Sequence, residues 1–415
     1  MRFSPQRTAI AVCVLILVVR ISAVSAAPTP SFGDLLKQAD ATAPRLLESS
    51  AEIAVASGRA RQAAAWPNPE FGVEVENFSG SGPYQGTSQA QTTFSLSEPL
   101  ELVGQRGARV RAGTAELAAA KARSQQSRLT FIHDLALAYA TAEVSQSRVM
   151  LLAEDLDRSQ EDVRRARALV DAGKEGELRA VQANAAAAGA RADLEEARAT
   201  AVESLAQLSS LVGAREPFTS IGPSLLASAS VAPAPTAEEP ASAPAVLAAQ
   251  AELDAAERRI QVERKRALPA LALSVGARRF KGDNTTAMVG GISISLPLFD
   301  QNRGAISTAR AERAAADARL TGARLDVDAA WRAASAQTNA AAARLTAASQ
   351  GETAASEAYR LARIGYEAGR SSLLELLSTR RALIEAQLRS LDARLARVRA
   401  EASLALLAGQ IPFGD

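Results

Sequence analysis

The chain has 415 residues, 47 Lys and Arg against 45 Asp and Glu, a hydrophobic share of 47% and an aromatic share of only 4%. Balanced charge argues against a nucleic-acid partner, and the apolar share argues against wholesale disorder. With Cys13 the only thiol and His133 the only imidazole, one chain can assemble neither a disulfide framework nor a soft-ligand metal cluster, and no cofactor is expected.

The N-terminus has the order of an export signal. Arg2 and Arg7 precede the apolar run Ala9 to Val19, and Val24-Ser25-Ala26 supplies small residues for cleavage near Ala26. The run is short of the roughly 20 residues that cross a bilayer as a helix. Removing residues 1–26 takes away Arg2, Arg7 and Arg20 and no acid, leaving 44 basic against 45 acidic side chains. Bulky Val12 beside Cys13 speaks against lipidation there. No later segment is apolar enough for a membrane helix, so membrane entry requires strands in a closed barrel.

Ala43-Pro44 predicts the start of a helix that ends before Pro67. Two strands follow. Phe71, Val73 and Val75 alternate with Gly72, Glu74 and Glu76, and Phe94 and Leu96 alternate with Thr93, Ser95 and Ser97. Between them Gly80 to Gln89 reads as a solvent-facing tip. From Gly104 to Asp171 the chain lacks Pro, which predicts a helix of roughly 100 Å, and a second long helix runs from Glu177 to Val212. Leu129, Ile132, Leu135 and Tyr139 mark a narrow buried stripe on the first of these helices, with polar residues elsewhere. Ala-rich runs such as Ala185 to Ala188 permit close helix crossings. His133 is expected to be an ordinary wall residue.

Ser224 to Pro244 is a Pro/Ala/Ser stretch, expected to be an extended linker lying against the outside of the helices. Beyond it the pattern repeats. Ala243-Pro244 opens a helix ending before Pro269; Leu271, Leu273 and Val275, then Ile292, Ile294 and Leu296, alternate with small or polar residues around a tip at Lys281 to Thr286. Helices are predicted at 303–366 and 373–408, the latter with a stripe at Leu383, Leu388, Leu391, Leu395 and Val398. Ser95-Leu96-Ser97-Glu98-Pro99-Leu100 aligns with Ser293-Ile294-Ser295-Leu296-Pro297-Leu298, Arg106-Gly107 with Arg303-Gly304, Ala172-Gly173-Lys174 with Ala368-Gly369-Arg370, and Leu211-Val212-Gly213 with Leu407-Ala408-Gly409. Matches in register at four places argue for an internal duplication: signal 1–26, first repeat 27–223, linker 224–244, second repeat 245–415.

The residues leave two settings for the strands, a soluble two-layer sheet and a barrel with lipid outside and water inside. Four strands are few for an independent sheet core, which favours the barrel. Glu74, Glu76 and Arg278 fall on the non-lipid face and would line its mouth; Trp66 and Phe78 would mark its interfacial girdles, unless Trp66 packs below it. Gly173 and Gly369 suit positive-φ turns between antiparallel helices.

Ala65-Trp66-Pro67-Asn68-Pro69-Glu70-Phe71, the run Phe94 to Arg106, and Tyr366-Glu367-Ala368-Gly369-Arg370-Ser371-Ser372-Leu373-Leu374-Glu375-Leu376-Leu377 resemble the outer-membrane factors of tripartite efflux systems, the TolC-like family, and look most similar to its CzcC-type heavy-metal branch. The resemblance spans essentially the whole mature chain. It implies a mainly α fold with a small β part: a homotrimer in outer-membrane lipid, each protomer giving four strands to a twelve-stranded barrel continued by a long periplasmic α-helical barrel. It implies a passive duct, not an enzyme, for heavy-metal cations of the Co/Zn/Cd, Cu/Ag or Ni type, with a periplasmic membrane-fusion adaptor and a proton-driven inner-membrane RND pump as partners. Drug efflux or type I secretion through a TolC-like channel remains an alternative, and an exported coiled-coil structural protein is an alternative of another class. The tips Gly173, Lys174, Gly369, Arg370, Ser371 and Ser372 would meet the adaptor, and Glu375 matches an aperture carboxylate. In the first repeat that position is Arg179, a departure that leaves Glu175 and Glu177 to supply negative charge.

Overall fold

The computed structural model describes residues 28–228 and 240–413. The expected signal, Cys13 and residues 229–239 of the linker lie outside the described residues.

Helix α1 (Phe32–Thr42) opens the described chain and was not anticipated. Ser31 caps it, its Oγ accepting from the Asp34 N–H at 3.2 Å, while Phe32, Leu35 and Ala39 are buried on one face. Helix α2 (Pro44–Ala64) starts with Pro at its first position, where the missing N–H costs no helical bond, and stops short of Pro67. Strands β1 (Glu70–Glu76) and β2 (Gln91–Leu100) form the first hairpin. Then come α3 (Gln105–Asp171, 67 residues), α4 (Glu177–Val212) and the single turn α5 (Leu225–Ser228). Helix α6 (Pro244–Arg266), strands β3 (Ala270–Phe280) and β4 (Thr285–Ser295), and helices α7 (Arg303–Glu367) and α8 (Leu373–Leu407) repeat the order. The second hairpin is longer than expected, because pairing continues to Phe280↔Thr285 and leaves a tip of residues 281–284; Leu296 lies just past β4.

The ends of the shorter helices meet. The Thr42 hydroxyl donates to the Val212 carbonyl at 2.8 Å, and Gly213 turns at φ +67° so close beneath that a Cβ there would lie 2.4 Å from the Thr42 carbonyl oxygen. Gly409, at φ +69°, packs against Pro244 in the same manner. Helix α4 is therefore continued by α2, and α8 by α6. Since α3 packs against α2, α4, α6 and α8, and α7 against α6 and α8, the protomer is a wall of four rods in the order α2/α4, α3, α6/α8, α7. Rods one layer deep need only narrow apolar seams. On α7 the seam is Ala309, Ala316, Leu320, Val327, Ala334 and Ala341, mostly seven residues apart, the spacing that keeps one face toward a neighbour along a long helix.

The largest core lies halfway along the wall, where α1, α3, α4 and α8 converge. Phe131, Ile132, Leu135 and Tyr139 are fully buried there, and the Tyr139 hydroxyl donates to the Pro223 carbonyl at 2.7 Å. Burial raises the Tyr139 pKa, so the phenol stays a donor at neutral pH. Leu225 joins this core, so the start of the linker is a helical turn docked on the wall and not extended chain.

Candidate functional site

The sheet has the order β1-β2-β3-β4, antiparallel throughout, and its register sorts the side chains. On one face the rows, moving away from the helices, are Leu100–Leu271–Ile294, Glu98–Leu273–Ile292, Phe71–Leu96–Val275–Gly290, Val73–Phe94–Ala277–Met288 and Val75–Thr92–Arg279–Thr286. Nothing among the described residues covers them: Phe71 is 69% exposed, Ile292 68% and Met288 75%. A face so apolar and so open needs another apolar phase. The opposite face carries Glu74, Thr93 and Arg278 in one row and Glu76 and Gln91 in the next. Arg278 Nη2 lies 3.0 Å from Glu76 Oε2, and its Nε donates to Thr93 Oγ1 at 2.9 Å. The three expected mouth residues thus share the polar face, two of them as an ion pair, and Glu74 is exposed beside them. Trp66 is exposed at the helix end of the sheet, stacked under the Arg106 guanidinium at 4.5 Å, and Phe78 is exposed at the far end.

The other end of the wall is closed by two matching turns. Gly173 and Gly369 adopt φ +67° and +69°, and open space surrounds both, so it is backbone conformation and not crowding that selects glycine. In the first turn the Leu169 carbonyl accepts from the Lys174 and Glu175 N–H groups, at 2.9 and 3.3 Å; in the second the Gly365 carbonyl accepts from Arg370 and Ser371, at 2.7 and 3.2 Å. Lys174 and Arg370 project to solvent. Ser372 is committed to capping α8, its Oγ accepting from the Glu375 N–H at 3.2 Å. Ser371 packs on Gly365, where a Cβ would lie 2.4 Å from its Oγ.

The carboxylates at these turns differ in state. Arg179 Nε lies 3.5 Å from Glu175 Oε2, so the basic departure in the first repeat neutralises Glu175 locally. Glu177 and Glu375 remain exposed in the first turns of α4 and α8, where the positive helix end favours them. Tyr366, at the end of α7, has its pKa raised by burial and by the nearby Glu175 and Asp162.

Sequence reasoning missed the charge buried behind the tips. Arg380 of α8 reaches Asp162 at 2.5 Å and Asp155 at 3.3 Å, both on α3, with side-chain exposures of 6, 9 and 14%. Burial raises the pKa of both acids, against the pull of Arg380 and, more weakly, of Arg158 on Asp155 and Arg165 on Asp162. His133 is a wall residue, its Nδ1 3.2 Å from Asp134 Oδ1 and its Nε2 3.3 Å from Ser403 Oγ. Nearer the strands, a cavity of about 680 Å³ is shared by α2, α3, α6 and α7. Arg259 at its wall lies 2.7 Å from Glu116 and 3.2 Å from Glu312. The recess thus touches all four rods of the wall.

Comparison with known proteins gives the same picture. A family model described as outer membrane efflux protein matches residues 35–214 and again 238–410. The chain is 43% identical to the nickel-cobalt-cadmium resistance protein NccC of Alcaligenes xylosoxydans xylosoxydans, covering 99% of this chain and 93% of the relative. It is 45% identical to the nickel and cobalt resistance protein CnrC of Cupriavidus metallidurans, covering 94% and 93%. Among solved structures, the outer-membrane channel OprN superposes with a TM-score of 0.77 at 21% identity, over 92% of this chain and 90% of that one. The fold is TolC-like.

Proposed function

This chain belongs to the outer membrane efflux protein family, and we propose that three copies of it form the exit duct for divalent heavy-metal cations in a tripartite pump. One observation carries the assembly: among the described residues β1 and β4 each pair on one side only, while the apolar rows of the sheet lie open. Unpaired edges are not tolerated in lipid. Three copies of four strands close one barrel of twelve, with the apolar rows outward and the Glu74, Glu76 and Arg278 face toward water.

The helices require the same arithmetic. The outer rods of the wall expose apolar side chains, Leu325, Leu361 and Ile364 on α7 and Leu178, Val181 and Val202 on α4. Joining α7 of one copy to α2/α4 of the next covers them and encloses a tunnel. At its far end Glu375 and Glu177 form a ring of carboxylates that attracts cations, and Lys174 and Arg370 are presented to a periplasmic adaptor. An inner-membrane proton-driven pump supplies the work.

The cargo is inferred from the relatives, which are named for nickel, cobalt and cadmium resistance. Among the described residues there is no group of three or more His, Cys, Asp and Glu placed to hold a metal ion. A deletion strain challenged separately with nickel, cobalt, cadmium, zinc, copper and organic drugs tests the cargo. Sensitivity to divalent metals is expected, and loss of drug tolerance alone would overturn it.

A further inference from the structure

Within the apolar face of the sheet, Glu98 near the helix end apart, polarity changes at one level, the one farthest from the helices. Along β3 the outward residues are Leu271, Leu273, Val275 and Ala277, and the next in that series is Arg279. Leu271 to Arg279 spans roughly 27 Å along the strand, or about 20 Å once tilted, close to the height of about 25 Å typical of the apolar band of such barrels. Arg279 therefore stands where the hydrocarbon ends, on the side away from the helices and so in the outer leaflet. In its row it is flanked by Thr92 and Thr286. Lys281 follows immediately above.

The charges of this rim are unbalanced. Arg278, which faces inward, is paired with Glu76. The outward cations are held by neutral groups: Arg279 Nη2 donates to Asn284 Oδ1 at 3.2 Å, and Lys281 Nζ to Thr87 Oγ1 at 2.8 Å. Residues 77–90, the first tip, contain no acid. The second tip has Asp283, whose Oδ1 already accepts from the Thr285 N–H at 3.2 Å and hydroxyl at 2.6 Å. The two basic side chains thus sit at the upper edge of a lipid-facing surface, positioned by hydrogen bonds that leave most of their donors free.

We propose that Arg279 and Lys281 form a binding site for the phosphates of the phosphorylated glycolipid in the outer leaflet, repeated around the rim of the trimer. A guanidinium with free donors matches a phosphate monoester, and acyl chains descending from it would lie on the Ala277, Val275 and Leu273 row. The inference rests on the barrel reading given above and adds to it the ligand of the outer rim.

The test uses the full chain purified from native outer membrane in mild detergent. Glycolipid bound per trimer is measured by mass spectrometry of its hydroxy fatty acids, with phospholipid measured in the same sample. The Arg279→Gln/Lys281→Gln variant is expected to lose glycolipid while phospholipid stays unchanged, and Arg279→Lys is expected to retain it. Delipidated wild type titrated with bisphosphorylated lipid A is expected to bind about tenfold or more tightly than with chemically dephosphorylated lipid A, the scale of one charge-assisted contact. Equal glycolipid in the double variant, indifference to the phosphates, or replacement by phosphatidylglycerol at equal affinity would each overturn the site. A wild-type monomer carrying neither lipid would instead overturn the barrel, so the two failures are distinguishable.

Discussion

Arg380 and Asp162 form an ion pair across the wall, Nη1 2.5 Å from Oδ2, with both side chains more than nine-tenths shielded from solvent. With Asp155 alongside, one cation fastens α8 to α3 against two acids. Replacing Arg380 by Met leaves two buried carboxylates without their cation, and a loss of about 3–5 kcal/mol is expected, read as a lower thermal midpoint by circular dichroism. Asp155→Asn, which keeps the Arg380–Asp162 pair, should cost far less.

The pH response of that variant follows from the sign of the shifts. Burial raises both acids above the ordinary carboxylate range, so the folded state holds their protons more tightly than the unfolded chain. Stability from this source is full below the unfolded value near about 4 and is lost as pH rises through the higher folded value. Arg380→Met should therefore recover part of its midpoint as the pH is lowered from neutral toward the unfolded carboxylate value. A midpoint that falls on acidification would contradict the assignment.

The two classes of helix-region glycine should respond oppositely. Gly369→Ala forces a Cβ into the left-handed region and is expected to cost about 1–2 kcal/mol, whereas Gly351→Ala, inside α7 with nothing within 4 Å of the added carbon, should gain about 0.5–1 kcal/mol. Thermal melts of the two single variants decide this. Arg370→Glu should leave the melt unchanged and weaken adaptor binding in a pull-down.

Neighbours in β4 offer a test of the sheet faces. Ile292→Arg places charge on the outward row and should cost about 2–4 kcal/mol and reduce the assembled trimer on unheated gels, while Ser293→Arg, on the polar face, should assemble normally. Equal yields would contradict the placement of lipid and water.

At the tips, Glu375→Gln should lower cation over anion selectivity in planar bilayers, measured as a reversal-potential shift toward zero. Arg179→Glu, which removes the partner of Glu175, should shift it the other way.

Much of this architecture is written locally. Pro44, Pro67, Pro244 and Pro269 bound helices whatever surrounds them, and the period-two alternation of β1 to β4 assigns each side chain a face before any partner is known. Helix α1, capped by Ser31 on the Asp34 N–H, was not anticipated, because so short a helix beside the expected cleavage region has little periodicity to reveal it. What stayed hidden is non-local. Arg380 and Asp162 are 218 positions apart, and nothing in either segment distinguishes a buried pair from two charges on a solvated face. The stacking of α4 on α2 likewise depends on Thr42 meeting Val212, 170 positions away, a contact that exists only once the first repeat has folded back on itself. At the tips the glycines were legible from their turns, whereas the capping duty of Ser372 and the Arg179–Glu175 pair required coordinates.

The central claim is that three chains pool their open sheets. The mass of the detergent-solubilised protein, measured by sedimentation equilibrium with the bound detergent density-matched, addresses it directly. Three chains of 43.2 kDa each, less the signal, are predicted, together with recovery that depends on detergent. A single chain released by osmotic shock and stable without surfactant would contradict the account.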